Sequence, residues 1–173
     1  MSAESTALSL EEPRAYRALL WGGLIAGILD ITAACVNSAL RGRSPMWVLQ
    51  SIASGLLGPD SFQGVIRTAA LGAVLHFFIA FVACAVYFAA SRKFEFLVQR
   101  PIVFGLLYGV AVYMFMYLIV LPLTFHRTFL HPLTAVVAGL VIHMFCVGLP
   151  ISLAVRWCSK CGENAKGRTN TRG

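Results

Sequence analysis

The chain has 173 residues, of which 58% are hydrophobic and only 12% are charged. Soluble domains carry about 25% charged residues, so this composition excludes an ordinary soluble domain and predicts an integral membrane protein. The net charge of +7 comes without an aromatic-interleaved basic patch or a nucleic-acid-binding motif. We therefore expect no nucleic-acid partner.

Four apolar segments are long enough to cross a bilayer, which takes about 20 helical residues. We number them spans one to four, at 19–40, 68–90, 102–121 and 133–155. The sequence thus predicts an all-α membrane fold, a single up-down bundle of four transmembrane helices over residues 19–157. The flanking segments are expected to be a polar N-terminal stretch at 1–18 and a basic, disordered tail at 158–173.

A short helix is predicted between spans one and two. Ser44 and Pro45 are typical of a helix start, with serine as N-cap and proline in the first turn. Apolar residues recur at helical spacing over 46–57, but this segment is too short to span, so we expect it to lie in the membrane interface. Asp60 or Ser61 is expected to cap the helix that leads into span two.

The basic residues indicate the orientation. With a cytoplasmic N-terminus, ten of the 14 Lys and Arg residues fall on the inside, and only Arg41, Arg43, Arg67 and Arg127 fall on the outside. This is the positive-inside pattern. It predicts a multi-pass membrane protein with both termini in the cytoplasm.

Three ionisable residues lie well inside the spans. Asp30 is the only charged residue of span one, and His76 and His143 lie in spans two and four. Counting about 1.5 Å per residue from the cytoplasmic end places Asp30 roughly 16 Å, His143 roughly 18 Å and His76 roughly 21 Å deep. Because a carboxylate in the apolar layer is costly, the three are expected to meet near the midplane.

The faces of the spans support such a cluster. Small residues mark the faces where membrane helices approach closely, and the polar residues fall on the same stripes. The predicted buried polar cluster comprises Asp30, His76, His143, Asn37 and Tyr113. The predicted helix-packing positions are Gly23, Gly27, Gly72, Gly105, Gly109 and Gly139. Pro150 is expected to kink span four or to open its backbone ladder.

Three functions are compatible with this cluster. The leading hypothesis is a non-enzymatic bundle whose polar interior stabilises the fold or an oligomer and assists another membrane complex. The second is a proton, ion or small-solute transporter or channel subunit that uses Asp30, His76 and His143 as a relay. The third is a membrane redox protein in which His76 and His143 are axial ligands of haem b.

No soluble-enzyme motif is present: there is no Gly-x-Ser-x-Gly, no His-Glu-x-x-His and no pair of carboxylates in any span. We therefore predict no catalytic residue, metal or cofactor.

Cys158 and Cys161 have the spacing of half a zinc knuckle, but a structural zinc site takes four ligands. A zinc site shared with another chain, redox chemistry and a simple reduced tail remain open for this pair. The expected partners are the lipid bilayer and either a second copy or another membrane protein.

Several sequence segments of the chain resemble those of a known protein family. These are GLIAGILDIT at 23–32, RSP at 43–45, LQSIASGLLG at 49–58 and IHMFCVGLPI at 142–151. They resemble an uncharacterised family of small bacterial four-span membrane proteins, over about residues 21–155. The resemblance implies a four-helix protein of the bacterial inner membrane and implies no chemistry.

Overall fold

A computed structural model of the protein describes the backbone of residues 3–122 and 133–170, and the side chains of residues 16–122 and 133–160. Seven α-helices lie in these residues, together with a 3-10 turn and two π-helical turns. The α-helices are α1 (Ala3–Ala39), α2 (Pro45–Leu57), α3 (Val65–Lys93), α4 (Phe96–Gln99), α5 (Pro101–Phe115), α6 (Leu133–Ile142) and α7 (Leu149–Asn170). The 3-10 turn is Gly58–Phe62, and the π-helical turns are Met116–Val120 and His143–Gly148.

In the described part of the chain, four segments are long and apolar enough to cross a membrane: Tyr16–Ala39, Val65–Lys93, Pro101–Val120 and Leu133–Lys160. Helices suit this environment because the hydrocarbon layer offers no water to their backbone groups, so each N–H and C=O must be bonded within the segment. The four predicted spans are confirmed, each with ends within five residues of the expected ones. The protein is a multi-pass α-helical membrane protein.

The short helix between spans one and two is also present, as α2. The backbone N–H of Trp47 donates to the Ser44 hydroxyl at 3.2 Å, so Ser44 is the N-cap that the sequence predicted. The Trp47 ring stacks on Phe62 of the following turn, with 6.0 Å between centroids. These contacts fold α2 back along α3, and the Gln50 side chain donates to the Val65 carbonyl at 3.2 Å.

The start of α3 differs from the expected one. Asp60 and Ser61 lie within the 3-10 turn Gly58–Phe62 and do not cap α3, whose N-cap is Gly64 without a side-chain hydrogen bond. The reason is that the chain needs several more residues after Gly58 to reverse from α2 into α3. The prediction that this helix begins before Thr68 is confirmed, because α3 starts at Val65.

The first and the last helix of the chain are longer than expected. The backbone of α1 begins at Ala3 and that of α7 continues to Asn170, through the segments predicted to be a polar stretch and a disordered tail. At the start of that tail, the buried Cys158 packs in the core and the Ser159 hydroxyl donates to the Val155 carbonyl. These contacts continue span four without a break.

A core forms where α1, α3 and α7 meet. It contains small residues and a few larger ones: Ala18, Ala26, Cys84, Tyr87, Val147, Ile151, Val155 and Cys158. Large apolar side chains such as Val74, Ile102 and Leu118 are more than half exposed on the outer faces. In a bilayer this exposed apolar surface faces the lipid tails, which are as apolar as the side chains themselves.

Candidate functional site: a polar group inside the bundle

Asp30 and His143 lie next to each other in the bundle. Asp30 is on α1 and His143 is the first residue of the second π-helical turn, and 4.0 Å separates the Asp30 Oδ1 and His143 Nδ1 atoms. Their side chains are 15% and 22% exposed. Two of the three predicted ionisable residues therefore pair across spans one and four.

The nitrogen of His143 that faces Asp30 already has a partner. Its Nδ1 lies 2.9 Å from the Gly139 carbonyl oxygen, and because a carbonyl only accepts, Nδ1 carries the proton. At 4.0 Å the same proton is too far from Asp30 for a normal hydrogen bond. Asp30 Oδ1 is consequently buried without a hydrogen-bond partner among the described residues.

His76 also contacts α1, but it does not contact the Asp30 side chain. Its Nε2 donates to the Gly27 carbonyl at 2.9 Å, one turn of α1 before Asp30. Within the described residues, no hydrogen bond or ion pair joins His76 to Asp30 or His143. The two histidines thus contact α1 at points about one turn apart, His76 at Gly27 and His143 at Asp30. Among the described residues, Asp30 pairs with His143 and not with His76.

Tyr113 completes the group around His143. Its ring meets the imidazole edge to face, with 5.3 Å between centroids and 65° between planes. A Cβ atom on Gly139 would run into this tyrosine ring, so the glycine makes the space that Tyr113 fills. Gly139 therefore has two roles here, as a packing position and as the carbonyl that orients His143.

Asn37 lies apart from this group. It is two turns beyond Asp30 on α1, and its Oδ1 accepts a hydrogen bond of 3.4 Å from Arg41 in an exposed position. The predicted cluster included it because 30 and 37 share a helical stripe. The pairing with Arg41 at the end of the helix instead satisfies its amide away from the interior.

The six predicted packing glycines all lie against another element. The close neighbour of each is Phe81 for Gly23, Phe77 for Gly27, the Leu49 backbone for Gly72, Ser152 for Gly105, the His143 backbone for Gly109 and Tyr113 for Gly139. Gly22 and Gly148 approach their neighbours equally closely, at Cys84 and at the Gly105–Gly109 backbone. Their small-residue spacing relative to Ala26 and to Ser152 was the signal that could have identified them.

The second π-helical turn, His143–Gly148, is a local consequence of Pro150. Proline has no N–H and its ring clashes with the carbonyl four residues back. In the turn before it, the Leu149 N–H donates to the Met144 carbonyl, five residues back, which is the wider π spacing. Pro150 therefore opens the ladder of span four as predicted, and the opened turn begins at His143.

Two further residues belong to the interior although the predicted cluster omitted them. Cys146 lies in the same π-helical turn, close enough to Asp30 to interact with it electrostatically. The Tyr108 hydroxyl donates to the Ala83 carbonyl at 2.7 Å and so joins α5 to α3. Tyr108 also packs against Tyr87, with 4.9 Å between ring centroids.

The described residues contain no group of three or more His, Cys, Asp and Glu side chains that could hold a metal ion. Haem ligation by His76 would require its Nε2 to leave the Gly27 carbonyl. Cys158 is buried in the core, whereas the side chain of Cys161 and the residues His126, Arg127 and His131 lie outside the described part.

Comparison with known proteins found no family model, no curated protein and no solved structure that matches the chain.

Proposed function

We propose that this is a non-enzymatic four-helix protein of the bacterial inner membrane, whose buried polar residues hold the bundle together and whose outer faces support an oligomer or another membrane complex. One observation supports the proposal: each intramembrane histidine donates a ring N–H to a backbone carbonyl, His76 to Gly27 and His143 to Gly139. The His76 bond joins span two to span one, whereas the His143 bond lies within span four and orients the imidazole. A nitrogen bound in either way is less free to exchange protons or ligands.

The orientation follows from the charges at the two ends. Arg92, Lys93 and Arg100 lie at the same end of the bundle as the start of span one and the end of span four. Bases concentrate on the cytoplasmic side of membrane proteins. We therefore assign both termini to the cytoplasm, which reporter fusions at the termini and in the loop at 41–44 would test.

His76→Leu tests the structural role. The variant introduces an apolar side chain of similar size and loses the hydrogen bond to Gly27. Such bonds contribute about 0.6 kcal/mol on average in a membrane protein. We expect a lower thermal unfolding midpoint in detergent for His76→Leu than for Val74→Ala, a control on α3 whose side chain is 66% exposed. Equal midpoints for His76→Leu and the wild type would contradict the proposal.

A proton or ion relay is the second candidate, and one observation favours it. Among the residues that the structure describes, Asp30 Oδ1 is buried without a hydrogen bond, 4.0 Å from His143 Nδ1, and intramembrane carboxylates of this kind mark ion pathways. Because alternating access normally uses more than four helices, such a relay would operate in an oligomer.

Proteoliposomes loaded with a pH-sensitive dye separate the two functions. The structural function predicts no proton flux above that of empty liposomes for the wild type. The relay predicts flux that Asp30→Asn abolishes, while Asp60→Asn, a control at an exposed residue of the 3-10 turn, retains it. Flux with that mutational pattern would replace the structural function by the relay.

A further inference from the structure

An apolar groove runs along the outside of the bundle between α1 and α7. It is lined by Trp21, Ile25 and Leu29 on α1 and by Leu149, Pro150, Leu153, Ala154 and Trp157 on the α7 side. Almost all of its surface is apolar. A groove of this kind on the outer face of a membrane bundle suits an extended acyl chain.

The two tryptophans lie at the same end of the groove, one on each wall. Trp21 is 46% and Trp157 58% exposed, so their rings extend beyond the packed core. Tryptophan is enriched at the level of the lipid headgroups, where its ring lies in the apolar layer and its N–H reaches the polar one. This end of the groove therefore lies at the membrane interface.

Each wall carries a base one turn beyond its tryptophan. Arg17 precedes Trp21 by four residues and Lys160 follows Trp157 by three, spacings that put each base on the same helix face as its tryptophan. Both bases are exposed. The neighbouring Arg156 is oriented elsewhere, because its Nη1 donates to the Gln99 carbonyl at 3.0 Å.

We propose that this groove binds one anionic phospholipid, with an acyl chain between Ile25 and Leu153 and the phosphate between Arg17 and Lys160. The two helices present the same order of side chains toward one end: apolar, then tryptophan, then cation. That order matches a lipid's own order of tail, glycerol and phosphate. The leaflet on this side is the one with the excess of bases, where anionic lipids add about 1 kcal/mol of attraction per Lys or Arg.

Quenching of tryptophan fluorescence by brominated lipid tests the proposal. In a Trp47→Phe background, Trp21 and Trp157 are the two remaining tryptophans of the chain. The full-length protein is reconstituted in phosphatidylcholine vesicles that contain a small fraction of either brominated phosphatidylglycerol or brominated phosphatidylcholine. We expect the brominated phosphatidylglycerol to quench well beyond its share of the lipid, and the brominated phosphatidylcholine to quench in proportion to its share.

Charge variants separate a built site from general attraction. Arg17→Gln and Lys160→Gln are each expected to reduce the preference for phosphatidylglycerol about fivefold. Lys93→Gln, an exposed base at the same end but away from the groove, is the matched control and should retain the preference. Equal quenching by the two lipids, or an equal loss in Lys93→Gln, would overturn the proposal. Quenching by neither lipid would show that a second copy covers the groove, and would overturn it too.

Discussion

His76 and Gly27 join the first two membrane-crossing helices by a direct bond: the imidazole Nε2 donates to the carbonyl oxygen at 2.9 Å. The glycine makes this approach possible, because a Cβ at position 27 would meet the ring of Phe77, the next residue to His76. One position thus supplies both the acceptor and the space. The interior of this bundle repeats that combination at Gly139, which accepts from His143 and makes room for Tyr113.

Gly109→Ala is expected to destabilise the bundle by about 1–3 kcal/mol, the usual cost of overpacking. The new methyl group would run into the His143 carbonyl and the Met144 Cα, which are backbone atoms and cannot rotate away. Thermal unfolding in detergent, followed by circular dichroism, measures the effect. Val103→Ala, at a position 54% exposed on the same helix, is the control and should leave the midpoint nearly unchanged.

Gly72→Ala should displace α2 from α3. A Cβ at position 72 would meet the backbone carbonyl of Leu49, which lies in the middle of α2. Because Trp47 is on the same short helix and stacks on Phe62, the displacement should change its fluorescence maximum. The measurement uses Trp21→Phe/Trp157→Phe protein, so that Trp47 is the only tryptophan. An unchanged spectrum together with an unchanged unfolding midpoint would show that α2 does not depend on this contact.

Tyr108→Phe should lower the free energy of unfolding by about 0.6 kcal/mol, the average for such bonds inside a membrane protein, and by no more than about 1.7 kcal/mol, the largest value measured. The substitution removes only the hydroxyl that donates to the Ala83 carbonyl at 2.7 Å and keeps the ring packed against Tyr87. Tyr16→Phe is the matched control, since Tyr16 is 77% exposed. If both variants unfold at the same temperature, the Tyr108 bond does not stabilise the bundle.

Ser44→Ala should loosen the first turn of α2, because it removes the acceptor for the Trp47 N–H. Loss of an N-cap costs about 1 kcal/mol. Limited proteolysis of the 41–46 segment in proteoliposomes should become faster. Ser44→Asn supplies another side-chain oxygen at the cap and should restore the wild-type rate; faster cleavage in this variant as well would argue against a capping role.

Much of the fold could be predicted because its signals are local. Span lengths follow from runs of apolar residues, the start of α2 from Ser44 and Pro45, and the opened ladder of span four from Pro150. Each depends on residues within a few positions of one another. The capping of α3 could not be predicted from Asp60 and Ser61, because the path between two antiparallel helices depends on how α2 packs on α3.

The sequence by itself determined that Asp30, His76 and His143 lie at similar depths in three apolar spans, since depth is a count of residues along a helix. Only the tertiary structure decided their partners. The rotation of each helix about its axis, fixed by the contacts of its glycines, brings His143 to Asp30 and directs His76 to a backbone carbonyl. The same rotations bring the two Trp-and-base stripes together along one groove.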